Sequence, residues 1–142
     1  MISFINRRQF IIEWGHCDVL GNVFDSRFFE FFDQGTWLLF EAALGVKPQH
    51  LAGRYGIVGI PLVDASARFI AQARFGDVVD MTSRVRAFRR SSFDVEHRLA
   101  VDGAVVVEGV ESRVWAVGDP RDAAVIRSAP VPQDVVARFQ AS

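Results

Sequence analysis

The sequence predicts an α+β fold in which one long apolar helix is wrapped by an antiparallel sheet of about five strands. Three observations carry this expectation. Between Ser26 and Leu44 apolar side chains are too numerous for one narrow helical stripe, the pattern of a helix buried on most sides. After Pro61 the hydrophobic period changes from helical to alternating, and the alternation persists to Val117. Asp102-Gly103 stands between two alternating runs, a strong hairpin signal.

Taken in order, RQFIIEW over Arg8 to Trp14 is short and rich in Ile and aromatics, and reads as a strand stopped by Gly15. GHCDVLGNVFDS follows as a polar, glycine-punctuated turn. The helix comes next, with Asp25 or Ser26 as its cap and Gly45 at its end. Residues 46–61, bearing Pro48, several glycines and Pro61, read as a loop. Val63, Ala65, Ala67, Phe69, Ala71, Ala73 and Phe75 then share one face of a strand, and Gly76-Asp77 turns the chain. Val79 to Phe88 forms the next strand, and the basic corner Arg89-Arg90-Ser91 leads into Phe93, Val95, His97, Leu99 and Val101. Ala104 to Val117 closes the set, and a proline-bearing tail from Asp119 ends in a short helix. The expected order is strand, helix, then four consecutive antiparallel strands, with a free sheet edge through which a second copy can pair.

A chain of 142 residues lies in the range of a single domain, taken here as residues 1–142. Half of it is hydrophobic and 23% is charged, the balance of a globular protein rather than a disordered one. Sixteen basic against seventeen acidic residues give a net charge of −1, which argues against a nucleic-acid partner. One cysteine forms no internal disulfide, and no zinc-type spacing of Cys and His occurs, so no metal is expected. No apolar run approaches a membrane span, and MISFINRRQF lacks the features of a secretory signal. The expectation is a cytoplasmic protein without a membrane partner. Thirteen phenylalanines supply either a thick core or a wide oligomer interface.

Four stretches, in order, carry a resemblance to a known family: EWGHCDVLGNVF at 13–24, the helix with Phe31-Phe32-Asp33, RYGIVGIPLVDASARF at 54–69, and RAFRRSSF at 86–93. With them the chain resembles the 4-hydroxybenzoyl-CoA thioesterase family of hotdog-fold acyl-CoA thioesterases. The resemblance implies a hotdog fold, a homodimer or homotetramer, and acyl-CoA sites at the subunit interface. It implies no cofactor, since coenzyme A enters as part of the substrate.

Thioester hydrolysis requires a nucleophile or base, an oxyanion stabiliser and a grip on the CoA handle. No GxSxG elbow is present, which leaves carboxylates. The resemblance puts the catalytic carboxylate at Asp18, acting either as nucleophile or as general base. An Asp that only satisfies turn amides is the competing reading. His16, two residues earlier, can project beside Asp18 and tune it, or be a solvated loop histidine. The oxyanion position falls at the backbone amide of Asp25, at the helix N-terminus. Relatives often carry a tyrosine there, so a carboxylate must turn away and cap its own helix. Arg89 and Arg90, with Ser91 where a third basic residue can occur, match the family's CoA-phosphate grip. Val58 and Gly59 match its substrate-binding loop. Asp33 on the apolar helix can contact a polar group of the acyl moiety, such as a ring hydroxyl, or serve structural pairing. His50 and His97 read as structural.

The favoured reading is an acyl-CoA thioesterase, with the phenylalanine load consistent with an aromatic acyl group. A hotdog enoyl-CoA hydratase or dehydratase needs a strand histidine opposite a helix carboxylate, and His16 is misplaced for that. A non-catalytic acyl-CoA-binding protein keeps the groove without needing Asp18.

Overall fold

The computed structural model describes residues 1–140. The first strand, β1, spans Asn6–Ile11, earlier than the sequence pattern implied. It ends there because Trp14–His16 wind into a 3-10 turn in which Glu13 and His16 each accept the other's backbone amide. The long helix α1 spans Asp25–Leu44 and stops at Gly45, whose φ of 69° suits a residue without a β-carbon. The expected cap is corrected: the N-cap is Phe24, which offers no side-chain acceptor. The Phe24 amide donates to the His16 carbonyl at 3.0 Å, holding Phe24 extended and making Asp25 the first helical residue.

The expected loop contains a helix, α2, over Pro48–Tyr55. Pro48 occupies its first turn and Gly56, with φ 66°, its C-terminal cap. Leu51 is the residue α2 buries.

The main sheet comprises β1, β2 (Leu62–Phe69), β3 (Val78–Phe88), β4 (Ser92–Val101) and β5 (Ala104–Val114). Its strand order is β1-β3-β4-β5-β2, every pairing antiparallel. Only β3, β4 and β5 form the expected meander; β2 pairs with β5 at the opposite edge. The Asp102-Gly103 turn has positive φ at both residues, 51° and 81°, matching the twist of the β4–β5 hairpin. The run expected to continue to Phe75 leaves the sheet at Phe69 because its partner changes: the Ile70 and Ala71 amides both donate to the Val106 carbonyl, and the Ala73 carbonyl accepts from Val23. A second hairpin, β6 (Ala116–Asp119) with β7 (Asp122–Ser128), replaces the end of the expected last strand. The expected terminal helix is α3, Gln133–Gln140.

The sheet folds around α1 as a hotdog arrangement, and the core divides in two. Leu39, Phe40, Val85, Phe93, Val95, Trp115 and Phe139 belong to a cluster around the C-terminal half of α1. Ile12, Phe28, Phe31, Phe32, Met81, Leu99 and Val107 belong to one around its N-terminal half. Between them lies a buried polar layer of Thr36, Ser83, His97 and Glu111. Gly35 and Gly109 permit the close approach of helix to sheet: a β-carbon on either would collide, with Met81 and Ser83 or with the Phe32 ring.

Candidate active site

Asp18 opens a tight turn whose backbone closes on itself. Its amide donates to Asn22 O at 2.9 Å and its carbonyl accepts from Gly21 at 3.0 Å. Its Oδ1 accepts the amides of Leu20 at 2.9 Å and Asn22 at 3.1 Å. One carboxylate oxygen therefore shapes the turn, and the other, Oδ2, is left without a partner among the described residues. The turn is attached to the segment after β2 through Val23 N to Ala73 O, 3.1 Å, and Phe75 N to Gly21 O, 2.9 Å. These bonds fix Asp18 relative to the mouth of α1.

Asp25 stands at that mouth, exposed. Its amide has no acceptor among the described residues and points from the positive end of the helix dipole. Asp25, Phe28 and residues 69–72 line a cleft of about 270 Å³. An unpaired amide donor beside a cleft suits a carbonyl oxygen that gains charge.

His16 lies elsewhere. Its Nδ1 accepts the Glu13 amide at 2.9 Å, and its ring stands edge-on to Phe31 at 5.1 Å. It lines a separate cleft of about 290 Å³ with Arg8, Phe10, Glu30, Phe31 and Gln34. It makes no hydrogen bond to Asp18, because its Nδ1 is taken by the Glu13 amide and its ring lies against Phe31 of α1.

At the β3–β4 corner the two arginines differ. Arg89 donates Nη1 and Nη2 to the Asp94 carboxylate at 3.0 and 2.7 Å, and Nε to Ser92 Oγ at 2.8 Å. Those bonds hold Asp94 down at about 2, with help from Ser112 and against the upward push of its own burial. Arg90 is exposed and has no ion-pair partner among the described residues, whereas Arg89 is engaged by Asp94. Ser91 donates neither side-chain bond nor charge here; its carbonyl accepts the Trp115 amide at 2.9 Å. Val58 and Gly59 precede β2, where each exchanges a backbone bond with Ala116 at 2.9 and 3.2 Å.

Asp33 connects to a set of groups that sequence reasoning passed over. Its Oδ1 accepts Arg113 Nη2 at 2.7 Å. Arg113 also donates Nη2 to Glu111 Oε2 at 2.7 Å, Nε to Glu111 Oε1 at 3.3 Å and Nη1 to the Ile60 carbonyl at 3.0 Å. Glu111 Oε1 further accepts from Thr36 Oγ1 and from His97 Nε2, the latter at 3.1 Å. Ser83 Oγ meets His97 Nδ1 at 2.7 Å. Burial raises the Glu111 pKa, but the bonds from His97 and Arg113 outweigh it and bring it to about 2. Burial lowers that of His97, against the pull of Glu111. The imidazole is thus neutral, with its proton on Nε2 facing a carboxylate that only accepts. His97, expected to be structural, is fully buried with both ring nitrogens engaged. The signal for the rest was present: Glu111 and Arg113 share parity with Val107 and Gly109, so they had to face the core.

Among the described residues, no three His, Cys, Asp or Glu side chains converge to hold a metal ion. No helix among them is long and apolar enough to cross a membrane.

Residues 12–139 match a family model described as the thioesterase-like superfamily. The chain is 29% identical over 131 residues to the 4-hydroxybenzoyl-CoA thioesterase of Pseudomonas sp. (strain CBS-3), covering 88% of this chain and 90% of that protein. It is similar to the crystal structure of a mutant 4-hydroxybenzoyl CoA thioesterase complexed with 4-hydroxybenzoyl CoA, with TM-score 0.86 and 26% identity over 96% of this chain and 99% of that one. A gentisyl-coenzyme A thioesterase structure matches with TM-score 0.78 and 26% identity, covering 94% and 99%.

Proposed function

The chain belongs to the thioesterase-like superfamily, whose hotdog relatives hydrolyse acyl-CoA thioesters, and from that premise we propose that it releases an aromatic carboxylate from its CoA thioester. The observation that carries this reading is the attachment of the Asp18 turn beside the free Asp25 amide. In this reading the Asp18 carboxylate and the Asp25 amide work together at the mouth of α1, supported by the bonds that tie the Asp18 turn to the segment following the residues 69–72 that line the cleft with Asp25 and Phe28. Two routes use the same atoms. Asp18 Oδ2 attacks the acyl carbon, expelling CoA thiolate and leaving a mixed anhydride that water then cleaves. Alternatively, Asp18 takes a proton from water as the hydroxide attacks, and the thiolate leaves. In both, the Asp25 amide receives the oxyanion.

The remaining assignments follow the same logic. Arg90 grips CoA phosphate, with Arg89 holding the corner in shape through Asp94. The loop carrying Val58 and Gly59 flanks the substrate. Asp25, Phe29 and Asp33 succeed one another at four-residue spacing on one face of α1. In this reading the Asp33 carboxylate, beyond Phe29 in that row, accepts from a hydroxyl on the acyl group. Gentisyl and 4-hydroxybenzoyl, the acyl groups in the names of the similar proteins, both carry ring hydroxyls. The protein acts as a homo-oligomer of single domains, residues 1–142, in the cytoplasm. Strand β2 supports the oligomer: it is a sheet edge, with Val63 62% and Phe69 46% exposed beside the open face of α1. A hydratase reading finds its strand histidine in His97, but that ring is fully buried with both nitrogens engaged.

The experiment is a panel of straight-chain, plain aromatic and hydroxylated aromatic acyl-CoAs incubated with the purified full chain, with thiol release as readout. Fastest release from a hydroxylated aroyl-CoA is expected; no release from any aroyl-CoA would overturn the reading.

A further inference from the structure

The interior holds more charge than packing a helix on a sheet requires. Glu111, Arg113 and His97 are buried, and exchanging such groups for apolar ones of similar shape is often neutral or stabilising. Stability therefore gives no reason for the network, whereas its layout does. Its members come from α1, β3, β4 and β5, so bonds between four elements fix it. All are sealed from water except Asp33, whose side chain is 54% exposed. Arg113 cannot swing: Nε and Nη2 fork onto Glu111, and Nη1 is tied to the Ile60 carbonyl at 3.0 Å. Glu111 cannot swing either, since Thr36 and His97 hold Oε1, and Ser83 holds His97 from behind. The outcome is a fixed Nη2–H aimed at Asp33 Oδ1, with Asp33 Oδ2 unpartnered among the described residues.

We propose that Arg113, braced by Glu111 and His97, is a positioning residue that presents Asp33 Oδ2 to a hydroxyl on the acyl group. The inference rests on the reading of Asp33 as an acyl contact. An exposed aspartate on a helix samples several rotamers and must be ordered when ligand binds. A carboxylate already held by one oxygen meets a donor without that loss, which is preorganisation. The bracket therefore acts on specificity, favouring an acyl group with a hydroxyl over one without.

The test compares kcat/KM for 4-hydroxybenzoyl-CoA and benzoyl-CoA in the full-length protein and in Arg113→Lys, Glu111→Gln and Asp33→Asn. Lysine keeps the charge and loses the fork; glutamine keeps the shape of Glu111 and loses its charge. The ratio of the two kcat/KM values is expected to fall about tenfold in Arg113→Lys, the scale of one lost hydrogen bond to a charged group. It should fall in Glu111→Gln as well, and no further when either is combined with Asp33→Asn. An equal loss on both substrates in Arg113→Lys would mark a merely structural role and overturn the proposal. If Arg113→Lys does not fold, a folded Glu111→Gln with an undiminished ratio overturns it. An undiminished ratio in Asp33→Asn would instead remove Asp33 from the acyl site and both inferences with it. A ratio lost in Asp33→Asn but kept in Arg113→Lys overturns this inference alone.

Discussion

Phe32 stacks flat on His97, ring centroids 5.2 Å apart and planes within 3° of parallel. Gly109, the cross-strand partner of His97, lies beneath the same phenylalanine. The ring of α1 thus covers a neutral imidazole and a bare backbone side by side, and both must stay small and flat for the helix to seat. Gly109→Ala should consequently destabilise the protein by about 1–3 kcal/mol, the usual effect of overpacking a core. The measurement is the urea midpoint at constant m-value; an unchanged midpoint would show that the helix shifts freely.

Asp18→Asn should lower kcat by at least about 100-fold, the lower range for a positioned acid–base group, with little change in Kd for a non-hydrolysable acyl-CoA analogue. Asparagine can still accept the Leu20 and Asn22 amides through its carbonyl oxygen, so the turn should survive. A non-catalytic binder would be indifferent to this change. Asp25→Asn should keep activity or raise it, because only the backbone amide is used and a nearby negative charge is removed. Loss of activity in a folded Asp25→Asn oligomer would instead make Asp25 the catalytic carboxylate.

The two corner arginines should separate by readout. Arg90→Ala should raise KM for acyl-CoA more than for a short acyl thioester lacking the nucleotide. Arg89→Ala leaves Asp94 without its fork, so it should lower the unfolding midpoint as well as affect binding. Equal KM effects of Arg90→Ala on both substrates would remove it from the phosphate site.

Acid should weaken the fold in two stages. The His97 pKa is lowered on folding, mainly by burial, so the unfolded chain takes the proton first as pH drops below about 6.5. Stability is complete above that pH and declines beneath it. Asp94, held at about 2 by the bonds from Arg89, and Glu111, brought to about 2 despite its burial, add a second decline. Their contribution is complete above about pH 4.5 and lost between there and about 2. Urea midpoints measured at intervals from pH 8 to pH 3 should fall along this course, and a midpoint constant from 7 to 5 would contradict the buried neutral histidine.

Features governed by neighbours in the chain were legible in advance. The span of α1 follows from its crowded apolar positions and Gly45, and the β4–β5 register from Asp102-Gly103. Helix α2 was read as a loop because its polarity and Gly53 disguise it, although Pro48 and Gly56 stand at its ends. The motif region 13–24 identified the Asp18 turn from the residue types a turn needs. Placement between distant segments was another matter. The same alternation that marks β2 serves equally well beside β3 or β5, and only the packing of the whole sheet around α1 sends it to the β5 edge. Strand parity showed that Glu111 and Arg113 face inward, but it cannot say what meets them. Asp33, Thr36 and His97 arrive from 14 to 80 positions away, brought together only when helix and sheet pack. Hydrogen bonds and ion pairs act over a few ångströms in space and carry no mark in sequence separation.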